Sequence, residues 1–156
     1  MFINQVMNSS VQELKSYQPG QILPVLTFHE LLASGSQRKL LHAIKQLLDI
    51  PDQYYAMLYE PLIRNYVEYV QLIPTEKEVH LGSLLYEGLL KAYYMLECYQ
   101  EHGKAWQDNR ITYGLFSAAL LNNVHRVVGN QQIIMTDEEG SFQLSWVMTE
   151  KSMLNQ

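Results

Sequence analysis

The sequence predicts a mainly α-helical domain closed by a C-terminal β-hairpin, and three observations carry that prediction. Apolar residues recur at intervals of three and four between about residue 27 and residue 128, the period of helices that bury one face. Prolines and glycines punctuate this stretch and divide it into about five to seven helices. Beyond Gly129 and Asn130 the spacing changes to alternation, the period of strands.

Residues 1–20 are polar and end at Pro19-Gly20, a turn or linker signal. Thr27, with Glu30 three positions on, has the pattern of a capping box and opens a short helix. Ser36 is placed to cap the next helix, whose Leu40, Leu41, Ile44, Leu47 and Leu48 fall at helical spacing. Its other face carries Arg38, Lys39, Lys45 and Gln46 and reads as solvated. Pro51 suits the first turn of a helix running to about Tyr59. Pro61 then either kinks that helix or starts another reaching Leu72. Tyr54, Tyr55, Tyr59, Tyr66 and Tyr69 line this region. Paired tyrosines can act as DNA-cleaving nucleophiles, but that chemistry needs a metal-binding histidine cluster, and none is near them in sequence. Packing is the better account.

A long helix is predicted from about Leu81 to His102, with Gly103 as its C-terminal cap. Asp108 or Asn109 can cap the following helix, which runs through Asn122 and Asn123 and ends at Gly129-Asn130. Ile133, Ile134 and Met135, a Thr136-to-Gly140 loop, and then Phe142, Leu144 and Trp146 read as a β-hairpin. The acidic loop lacks the alternating oxygen ligands of a Ca²⁺ loop. Residues 149–156 form a polar tail, which leaves residues 21–148 as a single domain.

Composition bounds the function. The chain of 156 residues suits one domain with one core, and 47% hydrophobic with 17% charged residues is an ordinary globular balance. A net charge of −5 without a long basic run argues against a free-standing nucleic-acid binder. The single cysteine, Cys98, cannot form an intramolecular disulfide and suits a reducing compartment. No apolar run approaches the roughly 20 residues needed to span a bilayer, and the N-terminus lacks the basic region of a secretory signal. A cytoplasmic protein is expected. Neither a P-loop nor a serine or cysteine nucleophile signature occurs.

The segment Phe116-Ser-Ala-Ala-Leu-Leu-Asn122-Asn123-Val-His125-Arg126 carries most of the chemistry. A run of small residues and leucine delivers two adjacent polar residues, and in the HD-type phosphohydrolases such a pair is His-Asp and binds divalent cations. The likeness covers about residues 22–147. Leu23-Pro24-Val25-Leu26, Tyr59-Glu60-Pro61-Leu62, Leu72-Ile73-Pro74-Thr75-Glu76, Gly82-Ser83-Leu84-Leu85-Tyr86-Glu87 and Ala118 to Arg126 occur in order. Together they resemble the TraI-like N-terminal domain of MobH-class conjugative relaxases, which is related to the HD phosphohydrolases. The resemblance implies an HD-like helical bundle.

Carried over by position, the family's first-helix histidine is Glu87, and its His-Asp pair is Asn122 and Asn123. Its Gly-Lys after that pair becomes His125 and Arg126, and its histidine-rich run is reduced to His80. A carboxamide offers a metal one carbonyl oxygen and no charge. These six positions therefore read as a vestigial site, with no metal, no cofactor and no catalytic residue expected. Its polar groups are expected to pair instead, Glu87 with Arg126 and Asn122 with neighbouring backbone. The resemblance implies a non-catalytic domain of conjugation or of a mobile element, working through a protein partner or as a homo-oligomer. DNA binding by the isolated chain and membrane association are not expected. The relaxase domain normally continues into a longer protein, so the chain is either an accessory protein or a piece of one. The alternative is a metal-dependent phosphohydrolase or nuclease with a non-standard site around Glu87, His80 and His125; a small structural protein is the third reading. His29, His42 and His102 read as surface or packing residues.

Overall fold

The computed structural model describes residues 22–33, 35–74, 81–101, 108–125, 133–137 and 139–146. Residues 22–27 are extended and lead into α1 (Phe28–Leu31). The Thr27 and Glu30 box forms as the sequence indicates. The Glu30 carboxylate accepts from the backbone N–H and the hydroxyl of Thr27, both at 2.7 Å, and these bonds hold its pKa below the ordinary carboxylate value.

Helix α2 spans Gly35–Leu48 and buries Ile44 and Leu48. It starts two residues earlier than a cap at Ser36 implies, so Ser36 sits in the first turn rather than at the cap. Its basic face is partly neutralised: Lys45 Nζ lies 2.7 Å from Asp52 and over the Tyr55 ring at 5.0 Å.

Helix α3 (Asp52–Tyr54) follows Pro51, and a π-helical turn over Tyr55–Tyr59 joins it to α4 (Glu60–Val70). Pro61 stands in the first turn of α4, the second of the two placements the sequence allows, with the spiral continuous through the π-helical turn before it. It has no N–H to donate, and its ring would meet the carbonyl four residues back in a regular helix. The wider turn ahead of it, in which Glu60 N–H reaches the Tyr55 carbonyl, accommodates the ring without breaking the spiral. Tyr59 is thereby buried against Tyr113 and Phe116, with ring centroids 5.2 and 5.1 Å away. Tyr55 stacks on Tyr59, Tyr69 packs edge-on to Trp146, and Tyr66 is buried, which fits the packing reading. Tyr54 departs from it and is exposed.

The chain leaves α4 through Gln71, a buried residue with φ +46° and ψ −133°. Its amide acts as a clamp: Oε1 accepts from Leu26 N–H at 2.9 Å, while Nε2 donates to the carbonyls of Leu26 (2.8 Å) and Glu68 (3.0 Å). An otherwise strained backbone persists because its side chain ties the N-terminal extended segment to the end of α4.

Helix α5 (Ser83–Glu101) and helix α6 (Asn109–Leu121) make the largest helix–helix contact among the described residues. Helix α5 begins two residues later than predicted, because Gly82 turns the chain at φ +75° and its N–H is held by the Leu72 carbonyl at 2.9 Å. The predicted end at His102 and Gly103 lies outside the described residues. Asp108, not Asn109, caps α6, accepting from Arg110 N–H at 2.8 Å. Helix α6 stops at Leu121, earlier than expected, and Asn122 and Asn123 form a turn before Val124 and His125 resume helical geometry. Asparagine competes for backbone hydrogen bonds and favours turns over helix interiors. Gly129 and Asn130 lie outside the described residues.

Strands β1 (Ile134–Thr136) and β2 (Phe142–Ser145) form the antiparallel hairpin. Asp137 organises its loop: its carboxylate accepts from Glu139 N–H and Ser141 N–H at 3.1 and 2.8 Å. Ladder partners run Met135–Leu144 and then Thr136–Phe142, which leaves Gln143 as a bulge. Phe142 therefore turns out to solvent and is 65% exposed, although its alternation with Leu144 and Trp146 puts all three on one face. The core gathers Ile44, Ile63, Val67, Val70, Leu85, Leu89, Phe116, Leu120 and Trp146 from the helices and the end of the hairpin. Among the described residues no helix is long and apolar enough to cross a membrane. Residues 1–21 and 147–156, including the predicted linker and tail, lie outside the described set.

Candidate functional site

The first matched ligand position, Glu87, lies in the second turn of α5. That helix start is fixed by Gly82 and by Leu84 N–H, which donates to the Ile73 carbonyl at 3.2 Å. Glu87 is half-buried, and its carboxylate is 3.0 Å from Lys91 Nζ one turn along the helix. The pairing seen is thus an ordinary i,i+4 ion pair on one helix; the expected partner, Arg126, lies outside the described residues.

Beside Glu87, the backbone of α5 at Gly88 comes against the phenol of Tyr66, whose hydroxyl donates to the Leu84 carbonyl at 3.0 Å. Burial, and then the negative charge of Glu87, push the Tyr66 phenol well above its ordinary range. Tyr66 therefore stays protonated and acts as a hydrogen-bond donor, not as a nucleophile. No sequence feature paired Tyr66 with Gly88, although an isolated glycine inside a helical pattern is a signal of close approach.

The second and third matched positions share the turn after α6. Asn122 is exposed, and its backbone carbonyl accepts a hydrogen bond of 2.8 Å from His125 Nδ1. A carbonyl can only accept, so Nδ1 carries the proton in this contact. The contact between these two positions thus runs through the Asn122 main chain. Asn123 points inward and is 2% exposed, and among the described residues its Nδ2 has no hydrogen-bond partner. His80 and Arg126 lie outside the described residues.

Among the described residues, these positions offer a divalent cation few donors. Their one carboxylate is neutralised by Lys91, and their two amides are neutral, one of them facing solvent. Among the described residues no group of three or more His, Cys, Asp or Glu side chains converges. His29 stands edge-on to Phe28 and is exposed, as is His42, while His102 lies outside the described residues. Cys98 is exposed.

The TraI_2 family model, described as "Putative helicase", matches residues 23–153. A search of curated proteins returns no match.

Proposed function

The chain belongs to the TraI_2 family, and we propose that it is a non-catalytic member serving conjugative DNA transfer, or a mobile element, through protein contacts. One observation carries the reading: the positions that match HD-type metal ligands hold a carboxylate already paired with Lys91 and two neutral amides. Hydrolysis of that type depends on a metal to polarise phosphate and activate water, and these side chains are poorly suited to hold one. The family description names a helicase, but a nucleotide-driven motor of the P-loop kind needs a GxxxxGK[ST] phosphate loop, and the sequence has none.

The test is elemental analysis of protein purified without chelator. Well under one Mn, Fe, Ni or Zn per chain is expected; about one per chain would establish the rival reading of a metal-dependent phosphohydrolase or nuclease. A reconstruction tests the alignment itself. The triple variant Glu87→His, Asn122→His, Asn123→Asp is expected to gain metal-dependent thermal stabilisation, since a ligand that binds only the native state raises stability with its concentration. A folded triple variant whose Tm ignores added metal would show that these positions do not form one site.

A further inference from the structure

The extended segment 22–27 and α1 lie against α4 as a strap. Leu26 and Leu31 are its buried side, while Ile22, Pro24, Thr27 and His29 face solvent. The Gln71 side chain holds the strap by taking both the N–H and the carbonyl of Leu26. Gln71 is an unusual residue for its backbone. At φ +46° and ψ −133° a β-carbon is crowded, and glycine is the residue that adopts such a conformation without strain. The bonds of its own side chain keep it there.

The same residue sets the direction in which the chain leaves α4. Immediately beyond it, the carbonyls of Leu72 and Ile73 accept from Gly82 N–H at 2.9 Å and from Leu84 N–H at 3.2 Å, and these bonds fix where α5 begins. We propose that Gln71 is a latch that couples the strap to the start of α5. With the latch closed, bonds to Leu26 and Glu68 hold the strained backbone in place. When the strap lifts, the bonds to Leu26 are lost and the backbone at Gln71 relaxes towards negative φ. That turns the carbonyls of Leu72 and Ile73 away from Gly82 and Leu84, and the first turn of α5 loosens. One residue with two arrangements is thus biased from both sides, which is the physical requirement for coupling between separate segments. The coupling is reciprocal: a displaced α5 start loosens the strap.

The path ends beside the candidate site. Glu87 stands one turn beyond Leu84 on α5, and the Leu84 carbonyl also accepts from the Tyr66 hydroxyl at 3.0 Å. A protein that grips the exposed side of the strap is therefore felt near Glu87 through hydrogen bonds, without touching it. This coupling needs no metal at that site, so it stands apart from the non-catalytic reading.

Native-state hydrogen exchange of the full chain in low urea reads the latch at three amides, those of Leu26, Gly82 and Leu84. They are expected to open together, with one free energy and one urea dependence, and more readily than the Leu120 amide of α6. Two variants separate a latch from a simple tie. Gln71→Met keeps the length of the side chain and the backbone strain but loses the bonds. It is expected to speed exchange at all three amides about tenfold and to leave Leu120 unchanged. Gln71→Gly loses the same bonds but has no strain to release. There Leu26 is expected to exchange about tenfold faster, with Gly82 and Leu84 close to their wild-type rates. Should Gln71→Met not fold, the wild-type profile and Gln71→Gly decide. Gly82 and Leu84 amides that open independently of Leu26 in the wild type would overturn the proposal. So would loosening of Gly82 and Leu84 in Gln71→Gly by about tenfold, since strain at Gln71 would then not drive the change.

Discussion

At Gly88, α5 approaches the Tyr66 ring so closely that an added β-carbon would lie 2.6 Å from Cζ, on a rigid, buried phenol. Gly88→Ala is therefore expected to cost about 1–3 kcal/mol through overpacking, even though alanine is the better helix former. Tyr66→Phe loses the hydrogen bond to the Leu84 carbonyl, worth about 0.5–1.5 kcal/mol, but removes the atom nearest the new methyl. Urea denaturation of both single variants and the double variant should show the pair to be less destabilised than the sum of the singles; strict additivity would mean the contact is not where it is described. Asn123 is the opposite case. Its buried Nδ2, without a partner among the described residues, carries a desolvation cost of about 1–3 kcal/mol. Asn123→Leu, close in volume, is expected to raise the unfolding midpoint, and a fall of that midpoint would reveal a bonded amide.

Local chemical patterns predicted the elements well, and long-range contacts account for the differences. The Thr27 and Glu30 box, the Asp108 cap and the hairpin loop each depend on residues a few positions apart, so sequence spacing alone identifies them. The bulge at Gln143 depends on how Leu144 and Trp146 reach the core, and the Gln71 clamp on an extended segment 45 residues away. Neither has a short-range signature. The Asp108 cap carries a pH prediction. The hydrogen bonds from the Arg110 side chain and backbone draw its carboxyl down from the ordinary aspartate value of 3.8 to about 2. A group whose pKa is lower in the folded state stabilises that state above its unfolded pKa, and the contribution is lost as pH falls through the folded pKa. The support of α6 is thus complete above about pH 4 and fades towards pH 2. An Asp108→Asn variant is expected to unfold with a shallower acid limb than wild type between those values. Thermal melts across that range measure it, and parallel limbs would exclude the cap as a source.

On the scale of the whole molecule, sequence order singles out Glu87, Asn122 and Asn123, and the structure adds where each of them lies. They stand out because the family that the segment resembles carries histidine and aspartate there, where this chain has a glutamate and two asparagines. That Asn122 faces solvent while Asn123 faces inward follows from the end of α6 at Leu121, which no helical periodicity marks. Charge, by contrast, is legible from composition and bears on the partner. The net charge of −5 gives phosphate no long-range attraction. Among the described residues, Arg64 on α4 is drawn toward Glu60 at 3.6 Å and over the Phe28 ring, and the basic face of α2 is weakened where Lys45 is held by Asp52. Few cations remain on that face to displace counterions from DNA, and affinity from so few phosphate contacts falls steeply with salt. Anisotropy titration of single- and double-stranded DNA with the isolated chain is therefore expected to show weak binding that disappears near physiological salt. Asp52→Ala, which frees Lys45 without touching a buried group, should strengthen that residual binding only slightly. Sub-micromolar affinity that survives about 150 mM salt would mean that the chain gathers phosphate-binding groups through residues outside the α2 face, and that DNA, not protein, is what it contacts.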